Sequence, residues 1–124
     1  MARAVDPPPD GGYPNQNTAE GCEDALFSLT TGSGNTVIGF NALFSNTNGN
    51  NNTANGFEAL LSNTGARNIA LGVRAGGNLT TGDNNIDIGN SGVAAEANTI
   101  RIGKQGTQTA TFIAGSRHWK RGFR

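Results

Sequence analysis

Asn35-Thr36-Val37-Ile38-Gly39 returns as Asn52-Thr53-Ala54-Asn55-Gly56, then as Asn68-Ile69-Ala70-Leu71-Gly72 and Asn85-Ile86-Asp87-Ile88-Gly89. An earlier copy is Asn17-Thr18-Ala19-Glu20-Gly21. A later one, Thr99-Ile100-Arg101-Ile102-Gly103, carries Thr at the Asn position, and Thr111-Phe112-Ile113-Ala114-Gly115 is a weaker seventh. Successive glycines of the first six copies lie 18, 17, 16, 17 and 14 residues apart. Behind the first three glycines follows a second motif, Ala25-Leu26-Phe27-Ser28, Ala42-Leu43-Phe44-Ser45 and Ala59-Leu60-Leu61-Ser62. Each then closes on a turn-like stretch such as Leu29-Thr30-Thr31-Gly32 or Asn46-Thr47-Asn48-Gly49. Such a period is too short for helix–turn–helix repeats, which need roughly 30 residues or more. It suits one coil of a β-solenoid: strand, turn, second short strand, turn. Coils stacked at the ~4.8 Å strand spacing would make a rod of ~29 Å, with stability summed over neighbouring coils.

Composition agrees. Of 124 residues, 35% are hydrophobic, 6% aromatic and 15% charged, while Gly, Asn and Thr together supply 49. A thick two-layer core is therefore not expected. The repeats occupy 17–115. The segment 1–16, containing Pro7-Pro8-Pro9 and Tyr13-Pro14, reads as an extended lead-in that caps the first coil's open edge. The formal charge is zero, but residues 1–116 carry −4 and the last eight, Arg117 to Arg124, carry +4. The tail 116–124 is read as a solvated, disordered end; contact with nucleic acid or an anionic surface is the sharper alternative. No apolar run reaches a membrane span, and no charged n-region followed by an apolar h-region appears in these 124 residues, so any secretion signal is expected to lie outside them or to have been lost.

Stacking turns repeat positions into columns. Asn17, Asn35, Asn52, Asn68 and Asn85 form a structural Asn ladder, amides bonded in register up the stack. Cys22, Phe40, Phe57 and Val73 form an apolar column one residue after the glycine, in which Cys22 is a small buried filler. No His or Lys lies near it in sequence to make a reactive thiol. The positions flanking the strand centre become consistently apolar from the fourth coil on, so Ile69, Leu71, Ile86, Ile88, Ile100 and Ile102 are expected to form the core strands. The centre itself reads Ala19, Val37, Ala54 and Ala70, small residues that would let neighbouring chains approach closely. Asp87 and Arg101 continue that column on adjacent coils and are expected to form an inter-coil ion pair. Thin coils of this kind bury little apolar surface, so an oligomer is expected rather than a monomer.

The units Asn35-Thr36-Val37-Ile38-Gly39 and Asn68-Ile69-Ala70-Leu71-Gly72, followed by Ala or Ala-Leu, resemble the head repeats of trimeric autotransporter adhesins of the YadA-like (Hep-Hag) type. Related repeats occur in other bacterial surface, secreted and tail-fibre-like proteins. The likeness covers about residues 15–115 and implies a left-handed parallel β-roll of six to seven coils, assembled as a homotrimer outside the cell or on its surface. Adhesion to a surface glycan or protein ligand is the implied role. The periods here are longer than the usual ~14 of those heads, and Asn-Thr stands where they have Asn-Ser.

Chemistry is sparse. The one histidine, His118, lies in the tail, which leaves no His-based catalysis or metal cluster. The sixfold aliphatic rhythm of hexapeptide acyltransferases is absent, and carboxylates are scattered among columns apart from Glu23-Asp24, unlike a glycosidase pair. Gly82-Asp83-Asn84-Asn85 is a single approach to a calcium repeat, and no phosphate loop accompanies Gly76-Gly77. No cofactor, metal, nucleic-acid partner or membrane insertion is expected. The sequence points to a non-enzymatic structural or adhesive module of a fibrous bacterial protein. The alternatives are a lattice-binding solenoid for ice or polysaccharide, motivated by Thr18, Thr36 and Thr53, or a phage tail-fibre-like receptor-binding segment.

Overall fold

The computed structural model describes residues 14–21 and 24–115. Six three-residue strands, β1 (Thr18–Glu20), β2 (Thr36–Ile38), β3 (Thr53–Asn55), β4 (Ile69–Leu71), β5 (Ile86–Ile88) and β6 (Ile100–Ile102), pair in chain order as one parallel sheet. Equivalent repeat positions stand directly beside one another: Thr36 pairs with Thr53, Val37 with Ala54, Asp87 with Arg101. The protein is an all-β parallel β-solenoid whose six rungs are joined by five turns. Among the described residues the single helical piece is a short 3-10 turn, Pro14–Gln16. The lead-in before Pro14, Cys22 and the basic tail lie outside the described residues.

Among the described residues the stack ends at β6. The seventh copy, Thr111 to Gly115, forms no strand, and Phe112 is 94% exposed. Its glycine lies 12 residues after Gly103, less than the shortest coil, and the stretch between them has no Asn or Leu to fill an interior.

Each coil encloses a narrow interior, and that width decides which side chains point inward. A three-residue strand turns its centre one way and its flanks the other. Here the centres are inside: Ala19, Val37, Ala54 and Ala70 are buried in one cluster with Ala25, Ala42, Ala59 and Ala75 and with Leu26, Leu43, Leu60 and Leu79. This corrects the expectation that Ile69, Leu71, Ile86, Ile88, Ile100 and Ile102 form the core. They lie on the outer face of the sheet, half-buried at Ile86 and Ile88 and exposed at the others, with Leu71 at 48% and Ile102 at 63%. The small central column therefore faces the coil interior and is no contact surface for a second chain. A coil one residue thick leaves room for Ala or Val across from Leu, not for Ile at every rung.

The second motif is a corner, not the short strand expected. Leu26, Leu43 and Leu60 share left-handed backbone, φ 56°, 51° and 52°, two residues after Asp24, Asn41 and Glu58 at φ 67°, 54° and 55°. This conformation costs a non-glycine residue roughly 1–2 kcal/mol. It drops each leucine inward while the following residue, Phe27, Phe44 or Leu61, remains at least partly exposed. Phe27 and Phe44 stack with ring centroids 5.1 Å apart. At the strand ends, rung spacing excludes side chains: a Cβ on Gly39, φ 127°, would sit 2.6 Å from Gly56 O of the next coil.

Removing one ladder amide tests this interior. Asn52→Ala leaves the buried Asn68 N–H without its acceptor and takes from the Gly65 carbonyl the shorter of its two amide donors, Asn63 Nδ2 remaining, so a loss of about 2 kcal/mol or more is expected in chemical denaturation. Asn48→Ala, at an exposed turn position, is expected to stay within about 0.5 kcal/mol of the parent.

Candidate functional site

The ladder is built from fully buried side chains. Backbone N–H groups of Asn35, Asn52, Asn68 and Asn85 each donate to Oδ1 of the preceding Asn, all at 2.9 Å, and Thr99 N–H donates to Asn85 Oδ1 at 3.1 Å. Each Nδ2 reaches the end of its own coil: Asn17 donates to Gly32 O, Asn35 to Gly49 O, Asn52 to Gly65 O, Asn68 to Gly82 O and Asn85 to Glu96 O, at 2.9–3.0 Å. One amide thus joins two rungs and closes one coil. Amide-to-amide bonds supplement this at Asn35 and Asn85, each donating Nδ2 to the preceding Oδ1 at 3.0 Å.

Two further buried asparagines do related work and escaped the sequence reading. Asn46 donates to Gly49 O at 2.9 Å and accepts from Gly49 N–H at 2.8 Å. Asn63 makes the equivalent pair of bonds with Gly65 and accepts from Asn68 Nδ2 at 3.2 Å. Their signal was the recurrence of Ser45-Asn46-Thr47 as Ser62-Asn63-Thr64.

At the last rungs the ion-pair expectation is overturned in part. Asp87 and Arg101 are register partners in neighbouring strands. The guanidinium, however, turns to Glu96 of the intervening turn, with Nε at 2.8 and 3.0 Å from its two oxygens and one terminal nitrogen at 2.8 Å. Glu96 precedes Arg101 by five residues and sits toward the outside, where a long cation keeps water. Asp87 is left with 1% exposure, and among the described residues no hydrogen bond reaches either of its carboxylate oxygens. It fits because the leucine corner becomes Gly76 here: a Cβ on Gly76 would lie 3.4 Å, and one on Gly92 2.9 Å, from Asp87 Oδ2. Burial, with help from the Glu96 charge and against that of Arg101, pushes the Asp87 carboxyl up to about 6. The Arg101 hydrogen bond holds Glu96 below its usual value and raises Arg101.

The apolar column also lies outside. Phe40 and Phe57 are exposed and stack at 5.7 Å, and Val73 below them is 72% exposed. Cys22, the member of this column expected to be a buried filler, lies outside the described residues. Together with Ile38, Ile69, Leu71 and Ile102 these side chains make an apolar outer face beside and over the sheet. Among the described residues no three His, Cys, Asp or Glu side chains gather as a metal site, and no helix is long and apolar enough to cross a membrane.

These features define a class, a parallel β-solenoid locked by buried amides and carrying an apolar outer sheet face. Comparison with family models, curated proteins and solved structures gave no match.

The buried carboxylate sets a pH dependence of defined sign. Its folded-state pKa lies above the ordinary 3.8, so folding takes up a proton between these values. The stability linked to that proton is full below about pH 3.8 and is lost as pH rises through about 6. Asp87→Ala removes this dependence. The stability of the parent relative to Asp87→Ala is expected to fall by about 2 kcal/mol between about pH 4 and pH 7.5, read by thermal unfolding.

Proposed function

We propose that this protein is a non-enzymatic structural or adhesive module of a bacterial surface or secreted fibre, working as a homotrimer. The observation that carries the reading is the outer face of the sheet. A parallel sheet ordinarily has both faces covered. Here one face closes the coil, while the other presents two ladders that become wholly aliphatic on β4, β5 and β6. Contiguous apolar surface of that kind marks an association site, and identical rods lying side by side would bury it rung against rung.

The ladder supports the same reading from the inside. Amide bonds that tie every rung to the next make a stiff spacer, suited to holding a surface at a distance. The resemblance of the Asn-x-x-x-Gly units to adhesin heads agrees with a role outside the cell, where binding rather than turnover is the task.

A second reading, a lattice-binding solenoid, draws on the exposed and in-register Thr18, Thr36 and Thr53. Only three rungs hold Thr before Ile takes over, which favours the first. Thermal hysteresis that is lost in Thr36→Leu would reverse the preference.

Light scattering of the purified chain is expected to give about three times the 12.7 kDa chain mass. Leu71→Asp with Ile88→Asp, on the outer face, should lower that mass toward one chain while the amide ladder keeps the coil folded. A parent that stays monomeric at micromolar concentration would contradict the trimer.

A further inference from the structure

The corner on the other side of the coil carries a step. Its outward column runs Phe27, Phe44, Leu61, and then Gly77, which has no side chain to continue it. The missing side chain opens a notch of about 450 Å³, within the ~300–1,000 Å³ range of small-molecule clefts. Leu61 supplies an apolar wall. Around it stand Glu58, Arg74, Ser62, Asn78 and Ser91. No outward residue of the six strands lines the notch, so a second copy seated on the sheet face leaves it open.

One ion pair orders part of this polar set, and the set is incompletely used. Arg74 Nε donates to Glu58 Oε2 at 2.7 Å, and the backbones of both residues are fixed by N–H donation to the coil above, to Phe57 O and Phe40 O. Among the described residues no hydrogen bond reaches Glu58 Oε1, the terminal nitrogens of Arg74, or the hydroxyls of Ser62 and Ser91. Asn78 Nδ2 makes one long bond, 3.4 Å to Gly92 O, which leaves its Oδ1 free.

We propose that this notch binds a neutral hexopyranose unit of a glycan. The carboxylate and the guanidinium cancel, so neither an anion nor a cation finds net attraction there. Vicinal hydroxyls are each donor and acceptor. They match a set of one carboxylate oxygen, guanidinium N–H groups, an amide oxygen and two hydroxyls. The C–H face of a pyranose ring packs against the Leu61 methyls, the pairing of apolar wall and few convergent polar groups that small-ligand sites use. This inference rests on the adhesive reading and gives it a ligand class.

The test is an NMR titration of isotope-labelled full chain with the methyl glycosides of mannose, galactose, glucose and N-acetylglucosamine, to roughly tens of millimolar, where a weak single-ring site saturates. At least one glycoside is expected to shift the Gly77 and Asn78 amide signals and the Leu61 methyls while leaving the Ile86 and Ile88 methyls unmoved. Gly77→Leu continues the column seen one rung above and should weaken binding at least ~10-fold. A Cβ at Gly77 would sit 3.1 Å from Arg74 O, so its folding is checked by melting. Glu58→Gln keeps the notch's shape, removes its charge balance, and should weaken binding whether or not Gly77→Leu folds. Absence of shifts at Leu61, Gly77 and Asn78 with all four glycosides overturns the proposal. So do shifts centred on the outer sheet face, which would keep the adhesive reading and discard the notch. A monomeric mass in light scattering would instead contradict the trimer and leave the titration result standing.

Discussion

Every rung of this molecule depends on one hydrogen-bonding arrangement, a buried asparagine amide that serves two backbone groups at once. A coil whose interior is one residue wide cannot gather enough apolar surface to hold itself together, and the turns that close it would strand carbonyls away from water. Asn52 shows the solution. Its Oδ1 takes the backbone N–H of Asn68 in the next coil, and its Nδ2 takes the carbonyl of Gly65 at the close of its own. Desolvating an unpaired amide is costly, so the same arrangement that stabilises the native register penalises any slip of one coil against the next.

The rest of the architecture follows from the width this imposes. Small centres of the strands and leucines at the left-handed corner fill the interior, and longer aliphatic side chains are placed outside. Outward isoleucines then lie on the surface of the coil rather than in its interior. Where the corner leucine is replaced by Gly76, the vacated space receives Asp87, a carboxylate with no hydrogen-bond partner among the described residues. The same substitution of glycine for a large residue one position further, at Gly77, opens the surface notch. Both special features of the molecule therefore arise on the fourth coil, where the Ala-Leu-Phe motif gives way to Ala75-Gly76-Gly77.

Much of this was legible in the residues. The Asn and Gly of each copy define the period, and the period places Thr36 beside Thr53 and Asp87 beside Arg101 without further information. The sense of the alternation was not legible, because a three-residue strand offers no run long enough to show which phase is buried. Apolarity at Ile69 and Leu71 suggested the interior, whereas the deciding quantity was the volume available beside Ala70. The Leu43 corner was missed since leucine rarely takes a left-handed backbone, and nothing local announces it. Column position alone paired Asp87 with Arg101. The flexible guanidinium instead chose Glu96, nearer in sequence and nearer to water.

Amide hydrogen exchange measures the claim on which the account rests. The N–H groups of Asn35, Asn52, Asn68 and Asn85, each donated to the amide of the coil before, are expected to be among the slowest in the chain. Asn52 and Asn68, in the middle of the stack, should exchange only through global unfolding. Exchange of these central amides at the rates of the turn residues around Asn48, with the strand amides still protected, would show that the buried asparagines do not hold the coils together.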